Sequence, residues 1–266
     1  MKVSLIISYY KNFDNLKLIL KALNNQSTKD FEAIISEDDN IEETKKFVEE
    51  NKSKYNFSLI HVSQKEDLGF RKNMMLNKSI KISKGEILVF IDGDCIPHRN
   101  FIKAYIDNIE DNTMLKGRRV MLSKKISREL LNTFDVSLLS LKKILFSESK
   151  KKKEMFYNPY FSLIVSMKNK GLLGCNWGIT KECITKVNGF DEDYVRAAVG
   201  EDTDIEWRLK SIGVKSKSVK NKAIVYHIYH KRSYSQSEVN INRELLTNKL
   251  KANVYFCKNG LKKIID

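Results

Sequence analysis

The sequence predicts an α/β fold: a Rossmann-like, mostly parallel sheet flanked by helices. Between residues 3 and 91, short apolar runs alternate in strict order with segments whose apolar residues recur at the helical spacing. The links between them are short, which is typical of right-handed strand-helix-strand units. A chain of 266 residues, 42% of them hydrophobic and only two of them proline, can also bury a large core. We therefore expect one domain, with helical additions in the second half of the chain.

The first half supplies the regular part of this fold. Four apolar runs are predicted strands: VSLIIS (3–8), FEAIIS (31–36), FSLIHV (57–62) and EILVFI (86–91). Helices are predicted over 13–25, 41–54 and 70–83, each between two strands. The first of these helices carries Leu16, Ile19, Leu20 and Leu23 on one face.

The second half is less regular. Helical stretches are expected between about 117 and 170, and a further helix is predicted to open at Glu201 and close at Gly213. Within that helix Asp204 and Arg208 are four residues apart, so we expect them to form an ion pair.

Polar and acidic residues follow the predicted strands where each one ends. The first strand is followed by Ser8-Tyr9-Tyr10, the second by Glu37-Asp38-Asp39 and the fourth by Asp92-Gly93-Asp94. Parallel strands bring their carboxyl ends to one edge of the sheet, where such sheets bind ligands. Two carboxylates separated by a glycine can share a divalent cation and the phosphate oxygens bound to it. Taken alone, an Asp-Gly-Asp triplet also fits a solvated turn.

The charge of the chain points to an anionic partner. The formal net charge is +15, and lysine dominates over arginine. A lysine block at 150–153 follows the apolar-rich stretch SRELLNTFDVSLLSLKKILF. One helix there would place Leu130, Phe134, Leu138, Leu141 and Leu145 on one side, which suits docking on an anionic membrane; packing on the core with a solvated lysine loop is the alternative. Nucleic acid is not expected as a partner, because the sequence shows no nucleic-acid-binding module.

The cysteines and the start of the sequence predict a cytoplasmic protein. The four cysteines lack a C-x-x-C pair, so neither a zinc site nor a disulfide framework is indicated. The apolar run at the start is too short for a signal-peptide core or a spanning helix.

Several segments together resemble the family 2 glycosyltransferases of the A-type (nucleotide-diphospho-sugar transferase) fold. They are, in order, SLIISYYKNFDNLKLILKALNNQ, FEAIISEDDNIEET, LGFRKNMMLNKSIKISKGEILVFIDGDCIPHRNFI, GCNWGITKECITKVNGFDEDY with GEDTDIEWRL, and YHIYH. They cover roughly 1–104 and 172–230. The resemblance implies a catalytic domain over 1–230, with a nucleotide-binding half (1–104) and an acceptor-side half (105–230), and a helical extension over 231–266 packed on it.

The resemblance also implies the residues that bind the donor nucleotide. Ser8 and Asp38 would contact the nucleoside, with Tyr9 lining its pocket and Arg71 approaching the diphosphate or the base. Asp92 and Gly93 would lie against the ribose and the diphosphate.

The metal and the catalytic base follow from the same resemblance. Asp94, with Asp92 beside it, would hold Mn²⁺ or Mg²⁺, and His227 would complete the ligand set; His230 is the alternative histidine. Asp202 matches the family's base, and Glu201 would orient the acceptor. The donor-sugar and acceptor wall would include Gly174, Asn176 and Trp177, although Trp177 fits the core equally well.

The resulting hypothesis is an inverting, metal-dependent transferase. It would move a sugar from a nucleoside-diphosphate donor, a UDP-sugar, to a glycan or lipid-linked acceptor in surface polysaccharide synthesis. One alternative is a sugar nucleotidyltransferase, although the YYKNFDN stretch lacks the glycine-rich phosphate loop of that chemistry. The other is a basic module that binds membrane or nucleic acid without catalysis.

Overall fold

The computed structural model describes residues 1–160, 170–197, 200–231 and 235–264, and its elements follow the predicted α/β pattern. In chain order the strands are β1 Val3–Tyr9, β2 Phe31–Glu37, β3 Ser58–Val62, β4 Ile87–Asp92, β5 Cys95–Pro97, β6 Thr113–Lys116, β7 Arg118–Met121, β8 Trp177–Thr180, β9 Lys215–Ser218 and β10 Ile224–His227. The helices are α1 Phe13–Asn24, α2 Glu42–Asn51, α3 Lys72–Ile82, α4 Phe101–Asn108, α5 Lys124–Thr133, α6 Leu141–Leu145, α7 Lys181–Thr185, α8 Glu201–Ser211 and α9 Gln236–Lys251. Short 3-10 turns occupy Lys52–Lys54, Val136–Leu139 and Lys152–Met155.

The main sheet has seven strands in the order β3-β2-β1-β4-β8-β6-β9. Its neighbours pair in parallel except around β8, which is antiparallel to both β4 and β6. Ser8 at the end of β1 is paired with Ser36 on one side and Asp92 on the other. The predicted class, a mostly parallel sheet flanked by helices, is therefore confirmed, and three strand ends meet at one edge.

The sheet has a buried core on each face. Side chains alternate along a strand, so Leu5 and Ile7 of β1 face the cluster that includes α1, whereas Ile6 faces the cluster that includes α3 and α8. All three are fully buried. Burial on both faces explains why the first four strands read as continuous apolar runs rather than as alternating ones.

A second, three-stranded sheet forms beside the first, in the order β5-β10-β7. Its central strand is antiparallel to β5 and parallel to β7. In this register His227 lies opposite Cys95, the residue that follows Asp94. The small sheet thus brings a histidine from late in the chain to the end of β4.

The helix predicted to open at Glu201 is α8, and its ion pair is present. Gly200 precedes the helix at φ +132° and Gly213 follows it at φ +82°, both in a region that favours glycine. Asp204 Oδ2 accepts a hydrogen bond from Arg208 Nε at 2.7 Å, and both side chains are almost fully buried.

The prediction of a single helix through the leucine-rich stretch before the lysine block is wrong. Phe134 adopts a left-handed conformation (φ +51°) and ends α5, and Asp135 then caps a 3-10 turn by accepting from the Ser137 amide. Local side-chain hydrogen bonding of this kind competes with helix continuation. Leu130 and Ile144 are buried, so α5 and α6 pack on the body of the protein.

Two further expectations extend past the described residues. The helical stretches predicted up to residue 170 include 161–169, and the extension predicted over 231–266 includes 232–234 and 265–266, all of which lie outside them. Inside the extension, α9 is a helix, and its Asn242 donates to the carbonyl of Arg196. Across the described part of the chain, no helix has the length and apolarity needed to cross a membrane.

Candidate active site

The acidic triplet lies where β4 leaves the sheet. The Gly93 amide donates to the carbonyl of Ser8 at 2.7 Å, which joins the ends of β4 and β1. A Cβ on Gly93 would come within 2.8 Å of that carbonyl oxygen, so the close approach requires glycine. Asp92 and Asp94 are consequently held on either side of a tight turn at the edge of the sheet.

Lys72, the first residue of α3, connects Asp92 with the start of α8. Its Nζ is 2.9 Å from Asp92 Oδ1 and 2.6 Å from Glu201 Oε1. Burial opposes the charge on this ammonium, but the two carboxylates outweigh it and hold the pKa of Lys72 well above its usual value. The sequence pointed to the adjacent Arg71 rather than to this lysine.

Glu201 and Asp202 lie on the other side of the lysine. The second oxygen of Glu201, Oε2, is buried and has no hydrogen-bond partner among the described residues. Asp202 Oδ2 accepts from the Gly174 amide at 3.3 Å. Burial raises the pKa of both carboxyl groups, which makes each a stronger base than an exposed acid.

One small cavity joins these groups. It is lined by polar side chains and by the wall formed at the start of β8; the lining includes Ser8, Lys72, Gly174, Trp177, Glu201 and Asp202. Residues far apart in sequence thus converge on one point, beside the end of β4.

Asp94 faces two histidines. Its Oδ2 is 3.2 Å from His227 Nε2 and 2.9 Å from His230 Nε2. Burial raises the pKa of Asp94, but the hydrogen bond from His230 and the charges of both imidazoles outweigh it, so the pKa falls below its usual value. Burial lowers the pKa of His227, whereas the hydrogen bond to Asp94 raises that of His230 to about 9.

These groups fit a divalent metal. Ligand atoms of Asp94, Cys95 and His227 lie within 4.8 Å of one another, and His227 Nδ1 is buried without a hydrogen-bond partner in the described structure. Cys95 suits such an ion least of the three, because hard divalent cations prefer oxygen ligands to sulfur. The remaining carboxylate and imidazole suit Mn²⁺ or Mg²⁺ better than a thiolate-preferring ion.

Asp38 and Arg71 meet at the end of β2, on the nucleoside side of the predicted site. The Arg71 amide donates to both carboxylate oxygens of Asp38 at 3.0 Å, and Gln64 donates to one of them at 2.8 Å. Burial raises the pKa of Asp38. The guanidinium of Arg71 donates to the carbonyl of Phe70.

Tyr9 does not line an open pocket. Its side chain is 2% exposed, and its hydroxyl lies 3.4 Å from Thr44 Oγ1, inside the cluster beneath α1 and α2. Strand alternation explains the error, because Tyr9 points to the opposite face from Ser8. The neighbouring Tyr10 is 53% exposed at the same edge and offers an accessible ring.

Asn176 also departs from its predicted place on the sugar wall, whereas Trp177 lines the cavity from a position in the core. The amide of Asn176 is fully buried: it accepts from Tyr105 and donates to the carbonyls of Arg118 and Ala223, which leaves no open face for a sugar. Trp177 is 1% exposed and stacks on Phe90, so it forms the floor of the cavity as a core residue. Gly174 remains at the cavity rim, next to Asp202.

A mostly parallel sheet with acids gathered at its carboxyl edge is the A-type fold, and solved glycosyltransferase structures share it. TarS from S. aureus superposes with a TM-score of 0.63 at 18% identity, over 99% of this chain and 41% of its own. The mannosyltransferase PcManGT from Pyrobaculum calidifontis, in complex with GDP-Man and Mn²⁺, superposes with a TM-score of 0.61 at 17% identity, over 95% of this chain and 64% of its own. GalNAc-T7 with UDP, GalNAc and Mn²⁺ superposes with a TM-score of 0.63 at 12% identity, over 96% of this chain and 50% of its own. TarS 1-349 has also been solved with UDP and with UDP-GlcNAc.

The chain belongs to glycosyl transferase family 2, whose family model matches residues 4–177. A second model, the N-terminal domain of galactosyltransferase, matches residues 163–231. Chondroitin synthase from Escherichia coli is 22% identical over 240 residues, which cover 85% of this chain. The matched region is only 34% of that synthase, so the chain spans about a third of this relative.

Proposed function

We propose that this chain is an inverting, metal-dependent glycosyltransferase that uses a UDP-sugar. It transfers the sugar to a hydroxyl of a glycan or glycolipid acceptor in surface polysaccharide synthesis. The observation that carries the proposal is the convergence of Lys72, Glu201 and Asp202 on one cavity at the carboxyl edge of the sheet, where Lys72 also contacts Asp92. The UDP complexes of TarS and GalNAc-T7 support a uridine donor.

Two charges would stabilise the departing diphosphate. Asp94 and His227 would hold Mn²⁺ or Mg²⁺, and the ion supplies positive charge to the phosphate oxygens. Lys72 adds a second, permanent cation, because its pKa lies far above neutral pH. The ammonium lies between Asp92 and Glu201, at the strand end where the diphosphate would bind. Arg71, directly before α3, would approach the diphosphate or the base. Fixed cations in a partly buried site favour the transition state, in which negative charge grows on the leaving group.

His227 is the better candidate ligand of the two histidines. The ligand atoms of His227 lie within 4.8 Å of those of Asp94 and Cys95. His227 is also buried and fixed in β10, while His230 is half exposed after the strand.

Asp202 would take the proton from the acceptor hydroxyl. Its carboxylate lies at the cavity wall, and burial makes it more basic than an exposed aspartate. A base on the far side of the sugar from the leaving diphosphate suits a single displacement, which inverts the anomeric carbon. Glu201, held by Lys72 through one oxygen, keeps its other oxygen free to orient the acceptor.

The nucleoside would bind along the ends of β1 and β2. Ser8 lies at the cavity, and Asp38 is held at the end of β2 by the Arg71 amide. Tyr10 rather than Tyr9 would provide the ring that packs against the base, since only Tyr10 is exposed. The site is proposed to work in the cytoplasm, and the four cysteines, all free and buried, fit a reducing compartment.

Calorimetric titration with uridine diphosphate tests the metal-nucleotide site. We expect binding that depends on Mn²⁺ or Mg²⁺, and a large loss of this dependence in Asp94→Asn. Glu86→Gln is a matched control, because Glu86 lies before the amino end of β4, at the opposite edge of the sheet. Binding that is equally tight in the presence of a chelator would contradict the proposed site.

A further inference from the structure

An exposed apolar and basic surface lies on the acceptor-side half of the chain. We name it the α5–α6 surface; it comprises the outer faces of α5 and α6 and the lysine block at 150–153. Phe146, directly after α6, is 86% exposed, and Leu141 and Leu145 of α6 are 48% and 38% exposed. A large phenyl ring that is almost fully in water is costly unless a partner covers it.

The apolar side chains stand among positive charges. Residues 124–153 contain eight lysines and one arginine against three acidic residues. One of those acids, Glu129, is paired with Lys143 at 2.5 Å. An open groove lies between the two helices, lined in part by Lys125, Lys142 and Phe146. The surface therefore presents exposed apolar side chains that are surrounded by positively charged ones.

Hydrogen bonds hold the three parts of this surface together. Lys152 Nζ donates to the carbonyl of Leu145 at 2.9 Å, which fixes the lysine block against the end of α6. The backbones of Lys150 and Met121 exchange hydrogen bonds, which anchors the same block beside the start of α5. The charges are thus displayed on a built surface rather than on a loose loop.

We propose that the α5–α6 surface docks on an anionic phospholipid bilayer, with Phe146 in the interface and the lysines at the lipid phosphates. Lysines near an anionic leaflet attract it electrostatically, and exposed aromatic and leucine side chains enter the acyl boundary. Nucleic acid fits less well, because the basic residues are nearly all lysine and exposed apolar side chains have no role on a phosphate backbone.

The docking surface adjoins the candidate active site. The Leu122 amide, just before α5, donates to the carbonyl of His227, and the Tyr229 amide donates to Ser127 Oγ within α5. Docking would therefore hold the site one helix away from the membrane. This consequence rests on the proposed function, and it identifies the acceptor as a lipid-linked glycan at the bilayer surface.

Co-sedimentation with vesicles tests the docking without any sugar donor. The full chain should bind vesicles that contain phosphatidylglycerol and should not bind pure phosphatidylcholine. The double variant Lys142→Glu/Phe146→Ala should lose about tenfold or more of the partition into anionic vesicles, since each charge near the surface contributes several-fold. Both side chains are exposed, so folding should be unaffected.

A matched control separates this surface from overall charge. Lys46→Glu/Ile241→Ala makes the same charge change and a similar apolar truncation at exposed positions in α2 and α9, and should bind like the unaltered chain. Equal loss in both variants, equal binding to neutral vesicles, or preferential retention on DNA would each overturn the proposal. Both variants should bind uridine diphosphate normally, so failure to dock and failure of the transferase proposal give different results.

Discussion

Replacing Lys72 with methionine removes the cation that joins the two acidic parts of the site. The substitution keeps the length and most of the volume of the side chain but leaves Asp92 and Glu201 facing each other without a shared partner. The Lys72 side chain is only 16% exposed, and its Nζ makes contacts of 2.9 and 2.6 Å to these carboxylates. We expect both stability and turnover to fall.

The size of each effect follows from the burial of these groups. Breaking a buried ion pair by removing one partner costs about 3–5 kcal/mol, and the lower end applies because the carboxylates can take up protons. For a chain of 266 residues, about 3 kcal/mol corresponds to a decrease of about 5 °C in the melting temperature. Removing a fixed charge that stabilises the leaving group should lower kcat by about 10²–10³.

Calorimetric melting and the rate of nucleoside diphosphate release measure the two effects separately. Lys81→Met is the matched control, because Lys81 is an exposed residue near the end of the same helix. Lys72→Arg keeps the charge and should retain more activity than Lys72→Met. If Lys72→Met melts and turns over like Lys81→Met, the role assigned to this lysine is refuted.

Four further predictions concern the metal site, the catalytic base, the nucleoside pocket and the ion pair of α8. Asp94→Asn should abolish turnover and weaken Mn²⁺-dependent binding of uridine diphosphate by about 10–100-fold; full activity would remove Asp94 from the metal site. Asp202→Asn should abolish transfer and leave nucleotide affinity nearly intact. In the unaltered enzyme, kcat should fall as the pH decreases, with a midpoint above the usual aspartate pKa, because burial raises the pKa of Asp202. Tyr10→Ala should weaken nucleotide binding by about 1–3 kcal/mol in calorimetry, while Tyr9→Phe leaves it unchanged; the reverse order would restore Tyr9 to the pocket. Arg208→Met should lower the melting temperature by about 5–9 °C, through the loss of a buried ion pair between α8 residues that do not line the cavity.

The first four strands could be predicted because their signal is local. Each is an apolar run between helical segments, and parallel pairing then places their ends on one edge. The register Ser8 to Asp92 confirms that inference. The strands of the second half carry no such signal: β9 reads Lys-Ser-Lys-Ser at the edge of the sheet and is mostly exposed. A polar edge strand is specified by its neighbour rather than by its own sequence.

The predictions for the candidate site were wrong where a shift of one position along the chain changes the direction in which a side chain points. Tyr9 and Tyr10 are adjacent, and only the strand geometry shows which of them is buried. Arg71 and Lys72 are likewise adjacent, and the start of α3 directs the lysine toward Asp92. The signal in the sequence was a pair of cations at a helix start, where the helix dipole disfavours them without anionic partners. Burial of Asn176 depends on tertiary contacts that the sequence does not display.

A metal-dependent transferase releases nucleoside diphosphate only when a sugar donor and a divalent ion are both present. The full chain is incubated with a panel of UDP-, GDP- and other nucleotide sugars, with Mn²⁺, with Mg²⁺ or with a chelator. We predict release from a UDP-sugar that requires the divalent ion and disappears in Asp94→Asn. Release that persists in the chelator would contradict the metal site, and no release from any donor, with or without metal, would contradict the proposed transferase.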